Sequence, residues 1–230
     1  KGATVRTKVG GTSSALLSSA NRPVVVFLHG FMGNAHDWNE VFSFLEHDFE
    51  CLALDLPGHG AALVPDSEPF PDLHRTAEAV VHWLAERRIE RYSLVGYSMG
   101  GRLALYMALR FPQGIERLAL ESASPGLHDA SARDERRKSD EVLARRLESE
   151  NFRSFLDQWY SQPLFESLRA DPARLERLIA QRLDNDPGQL ARSLRALGVG
   201  VQPPLWNELQ NLSIPTFLLV GSLDEKFQAI

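Results

Sequence analysis

A chain of 230 residues with 43% hydrophobic and 24% charged side chains has the size and make-up of one soluble globular domain with a sizeable core. A formal net charge of −5 offers no general attraction to nucleic acid or to an anionic membrane. The longest apolar runs, 23–28 and 214–220, are strand-sized and too short for a bilayer, while a single cysteine, Cys51, excludes an internal disulfide. That cysteine usage suits a reducing compartment, and a cytoplasmic location is expected.

Residues 1–22 are rich in Ser, Thr, Ala and Gly and lack the long apolar core of a secretory signal. Edge strands around 3–9 and a linker over 10–21 are expected there. Residues 23–28 form a continuous β-branched and aromatic run, as a parallel strand covered on both faces requires, and end at His29-Gly30-Phe31-Met32-Gly33. Over 37–47, Trp38, Val41, Phe42 and Leu45 fall on one helical stripe. A strand at 51–54 ends at Asp55-Leu56-Pro57-Gly58-His59-Gly60, and a helix follows over 72–88. Tyr92, Leu94 and Val95 mark a strand, 103–109 a helix and 115–120 a further strand. The alternation predicts an α/β fold: a mostly parallel sheet with helices on both faces. The next strand arrives only at 216–220, whereas an ordinary crossover needs about a dozen residues. The spacing therefore predicts a core of 23–121 and 216–230 and an inserted helical lid over 122–215, with helices near 129–150, 152–160, 172–184 and 188–197.

Gly96-Tyr97-Ser98-Met99-Gly100 lies between a strand and a helix, the context in which Gly-x-Ser-x-Gly is a nucleophile elbow and the fold an α/β-hydrolase fold. A turn this sharp leaves no room for side chains at 96 and 100, and it holds the Ser98 hydroxyl at the positive end of a helix. The loop after the 23–28 strand can aim backbone N–H groups at a developing oxyanion, with Met99 as second donor; a plain tight turn is the other reading. His29, directly at the strand end, is expected to orient that loop, and Asp55 and His59 are expected to be structural. Asp224 follows the serine in the order Ser…Asp…His, either as the acid that orients an imidazole or as a helix N-cap. All seven histidines precede Asp224, so the triad His is absent from this stretch. The chain reads as cut, with a carboxyl-terminal strand and helix missing. Arg102, four residues after Ser98 on the same helix face, suggests a carboxylate-bearing substrate or a surface arginine paired with the lid.

Several stretches narrow the family: Ser124-Pro125-Gly126-Leu127 followed by Arg133, Arg136 and Ser139-Asp140; Trp159-Tyr160-Ser161-Gln162-Pro163-Leu164-Phe165; Val201-Gln202-Pro203; and Gly221-Ser222-Leu223-Asp224-Glu225-Lys226-Phe227. From about residue 23 onward the chain resembles the 2-succinyl-6-hydroxy-2,4-cyclohexadiene-1-carboxylate synthases of menaquinone and phylloquinone biosynthesis. The resemblance implies a lyase that eliminates pyruvate from 2-succinyl-5-enolpyruvyl-6-hydroxy-3-cyclohexene-1-carboxylate, with no metal and no organic cofactor. It further implies Ser98 as base, activated by a His held by Asp224, with the N–H groups of Phe31 and Met99 on the oxyanion. Arg102, Arg136 and Arg182 match positions that grip substrate carboxylates, and Tyr97 and Trp159 match pocket-lining positions. The competing readings are a serine hydrolase of esters or C–C bonds and a non-catalytic binding protein on the same fold.

Overall fold

The computed structural model of the chain describes residues 6–9 and 22–230. Strand β1 (Arg6–Val9) runs antiparallel to β3 (Glu50–Asp55), and β2 (Val24–Leu28) lies on the other side of β3, parallel to it. The order completes as β1-β3-β2-β4-β5-β6, with β4 (Tyr92–Tyr97), β5 (Ile115–Glu121) and β6 (Thr216–Leu219) all parallel to β2. The expected edge strand is thus one strand on β3; residues 1–5 and the 10–21 linker lie outside the described residues.

Successive residues of a strand face opposite sides of the sheet, and β2 uses both. Val26 and Leu28 enter one core with α2 (Leu73–Glu86) and α3 (Met99–Arg110). Val25 and Phe27 enter another with Trp38 and Phe42, the latter on α1 (Asn39–Leu45). The single helix expected over 37–47 is a 3-10 turn, Ala35–Trp38, running into α1. Asn34 caps that turn by accepting from the N–H of His36.

Between β5 and β6 the chain forms α4 (Ala130–Ser149), α5 (Phe152–Tyr160), the short α6 (Glu166–Arg169), α7 (Pro172–Arg182) and α8 (Pro187–Leu197). Asp129, Asn151, Asp171 and Asp186 each accept a backbone N–H at the start of α4, α5, α7 and α8 respectively, satisfying one of the orphan donors there. Pro172 and Pro187 open their helices at the position where a missing N–H does no harm. These helices share a third core built on Leu147, Phe155, Leu156, Ile179 and Leu190, reached from the sheet side by Met32. No helix among the described residues is long and apolar enough to cross a membrane.

Polar bonds lash the insert to the sheet's loops. The side chain of Gln189 both accepts from the Val64 N–H and donates to the Val64 carbonyl, and Asn185 donates to the Met32 carbonyl while accepting from the Gly60 N–H. At the far edge β6 is exposed along its whole length, with Phe217 and Leu218 both facing solvent. A last single turn, α9 (Glu225–Gln228), follows it.

Candidate active site

Ser98 joins β4 to α3 with φ 50° and ψ −110°, backbone that a side-chain-bearing residue rarely adopts. The flanking glycines make the turn possible. A Cβ at Gly96 would lie 2.5 Å from the Gly100 carbonyl oxygen, and one at Gly100 would collide with the carbonyl of Leu28. The Ser98 N–H donates to the Glu121 carbonyl (2.9 Å), and its own carbonyl accepts from Arg102 in the first turn of α3. The serine is thereby pinned at both ends of its backbone.

The loop after β2 is both a turn and a wall of the site. The Gly33 N–H bonds the Gly30 carbonyl at 3.0 Å, and Met32 takes φ 61°. His29 orients it: Nδ1 lies 2.7 Å from the Gly30 carbonyl, and Nε2 accepts the Leu56 N–H at 3.0 Å. An Nε2 that accepts makes this imidazole neutral, with its proton on Nδ1. Burial is the main reason its pKa falls to about 4. His59 packs against it, ring centres 5.0 Å apart, and burial with the neighbouring His29 takes it to about 3. Asp55 bonds the N–H groups of Ala35 and Ala61, a structural role.

A cavity of about 790 Å³ opens over the elbow, and Ser98, Phe31, Met99, Arg102, Arg136 and Trp159 line it. Trp159 closes one side, edge-on to Phe31 at 6.3 Å and stacked on Phe155 at 6.2 Å. Arg102 donates to the Gln202 side-chain oxygen and to the Leu197 carbonyl, both at 2.8 Å. Burial, and then the like charge of Arg136, lowers its pKa to about 10, which leaves it protonated at neutral pH. Arg136 bonds the buried Asp140 one turn on at 2.7 Å. Lys226 and Phe227 of α9 complete the lining beside Asp224, whose carboxylate caps α9 by accepting the Phe227 N–H. None of the seven histidines lines the cavity.

The model of the alpha/beta hydrolase fold matches residues 23–229. The chain is 38% identical over 212 residues to the 2-succinyl-6-hydroxy-2,4-cyclohexadiene-1-carboxylate synthase of Serratia proteamaculans, covering 92% of this chain and 81% of that one. The chain belongs to that synthase family. It is also 34% identical to the PHYLLO protein of Arabidopsis thaliana, over 92% of this chain and 13% of that much longer one. Among solved structures, MenH from S. aureus superposes with a TM-score of 0.88 at 31% identity, covering 98% of this chain and 82% of that chain. The family's members are lyases built on a hydrolase fold, and this chain is such an enzyme.

Two of the residues matched to substrate positions of the synthase family have protein partners of their own. Tyr97, exposed beside the elbow, lays its ring over Gly30, where an added Cβ would sit 2.8 Å from it. Arg182 is buried outside the lining and grips Asp37 with both terminal nitrogens, at 2.6 and 2.9 Å, with Tyr160 3.4 Å from Nε. Burial works against its charge, and Asp37 more than restores it. Asp37, Asp140 and Gln202 are the polar partners that sequence reasoning left without a role. The spacing of four between Arg136 and Asp140 on one helix could have signalled theirs. Nothing local joins Arg182 to Asp37, 145 positions apart.

Replacing Asp37 by alanine strands the Arg182 charge in a nearly buried setting. It is expected to lower unfolding free energy by about 3 kcal/mol in urea titrations. A loss below about 1 kcal/mol, the range of an exposed pair, would contradict that placement. Among the described residues no cluster of three or more His, Cys, Asp or Glu side chains is arranged to hold a metal ion.

Proposed function

We propose that this chain eliminates pyruvate from 2-succinyl-5-enolpyruvyl-6-hydroxy-3-cyclohexene-1-carboxylate, with Ser98 as the base. The Ser98 oxygen takes a ring-adjacent proton, the C–H electron pair becomes ring unsaturation, and the C–O bond to the enolpyruvyl group breaks. The departing enolate takes up a proton and leaves as pyruvate. Negative charge builds on oxygen during the abstraction, and the N–H groups of Phe31 and Met99 are assigned to it. One such donor is typically worth ~3 kcal/mol. Arg102 and Arg136 are assigned to the substrate's carboxylates, Trp159 to its ring and Asp224 to an imidazole that activates Ser98. Tyr97 is assigned to the pocket wall and Arg182 to a further carboxylate, and the insert is assigned the role of lid. The single buried cysteine fits a cytoplasmic enzyme.

The observation that carries this reading is the company Ser98 keeps: one cavity holds the strained serine and the guanidiniums of Arg102 and Arg136. An ester hydrolase needs the serine but not the cations. Arg136→Ala is expected to raise KM for the polycarboxylate by about 10-fold or more, since a hydrogen bond to a charged group is worth ~1.5–3 kcal/mol. Hydrolysis of a neutral aryl ester, if any, should be unchanged. Robust, saturable esterase activity without pyruvate release would replace the lyase reading with the hydrolase one.

A further inference from the structure

The cavity's guanidiniums differ in what neutralises them. Arg136 faces Asp140, and Arg146 faces Glu150 at 2.7 Å. Arg102 is held instead by two uncharged acceptors, the Gln202 amide oxygen and the Leu197 carbonyl. Asp140 also feels Arg102, but one carboxylate shared between two guanidiniums leaves a positive charge over.

Gln202 is an odd choice for this place on grounds of stability alone. It is buried, and its Nε2 has no hydrogen-bond partner. That nitrogen packs towards Gly126, where an added Cβ would come within 3.1 Å of it. A buried donor without an acceptor is destabilising. A glutamate of the same shape would accept from Arg102 through a charged oxygen and leave no donor stranded, but it would also cancel the Arg102 charge.

We propose that Gln202 is a positioning and specificity-determining residue: its neutral amide fixes the Arg102 guanidinium at the cavity wall while leaving the charge for a carboxylate of the ligand. This rests on the reading of the cavity as a polycarboxylate site. Gln202 itself stays out of the cavity lining and acts through Arg102. The residues are 100 positions apart, so the pairing exists only when the segment after α8 is seated against α3.

The test is calorimetric titration of the protein with phthalate, an aromatic dianion, and with its neutral dimethyl ester, beside thermal melting of each variant. Wild type should bind phthalate. Gln202→Glu should weaken phthalate 10- to 100-fold with an equal or higher melting temperature and no change towards the diester. Gln202→Met, which keeps the volume but removes the acceptor, should weaken phthalate 3- to 10-fold by letting Arg102 swing. A merely structural Gln202 would give the opposite ranking, with the glutamate variant binding phthalate within twofold of wild type, and that result overturns the proposal. Wild type that takes neither phthalate nor a larger aromatic tricarboxylate would instead remove the polycarboxylate reading itself.

Discussion

Exchanging Ser98 for glycine is expected to abolish pyruvate release and, at the same time, to make the protein more stable. Removing a positioned base lowers kcat by about 10³-fold. The backbone at φ 50° and ψ −110° is strained for serine by roughly 1–3 kcal/mol, and glycine adopts it freely. Against that gain stands glycine's greater freedom in the unfolded chain, about 0.5–1 kcal/mol. The net expectation is a gain of about 1 kcal/mol in urea unfolding. Ser98→Ala separates the two effects: it should lose activity equally but keep its Cβ in the strained turn and gain no stability. Equal unfolding midpoints for the alanine and glycine variants would mean that the elbow stores no strain. A glycine variant retaining a tenth of the activity would remove Ser98 from the chemistry.

Mild acid is the second severe test. His29 and His59 are buried and neutral in the fold, with pKa values near 4 and 3, whereas in the unfolded chain both titrate near 6.5. Below pH 6.5 the unfolded state therefore binds more protons than the folded one. Stability falls with falling pH until the folded pKa values are reached. Each imidazole contributes a slope of about 1.4 kcal/mol per pH unit in that window. Between pH 7 and 4.5 the pair should remove roughly 5 kcal/mol, a large part of an ordinary domain's total. Denaturant titrations at the two pH values measure it, and the His59 variant separates the imidazole contribution from that of carboxylates titrating near pH 4.5. Replacing His59 by leucine should roughly halve the loss. A difference under about 1 kcal/mol between the two pH values would mean that these imidazoles are not held neutral.

Much of the architecture was readable because its signals are local. Alternating apolar residues place Val25 and Phe27 on one face of β2 and Val26 and Leu28 on the other. The four expected helices of the insert begin at Asp or Asn caps, with proline in the first turn of two of them, which is why their bounds fall close to those expected; the short α6, with no side-chain cap, was not foreseen. The elbow was legible for the same reason: the glycines, the serine and the strand-to-helix change are neighbours in the chain. Charge pairing was not. The Asp37 partner of Arg182 and the Gln202 partner of Arg102 lie far away in the chain and are seen only in the fold. Such partners are chosen by the packing of the insert on the sheet, which no periodicity reports.

Asn185 ties two parts of the enzyme into one thermodynamic unit. Its single amide joins the Met32 carbonyl, 153 positions earlier, to the Gly60 N–H, so the shape of the loop beside Ser98 is set by a residue of the insert. Any excursion that swings this part of the insert away must also loosen the donors assigned to the reaction. In the lid role proposed for the insert, opening would break the Asn185 bonds and loosen the loop beside Ser98 in the same step.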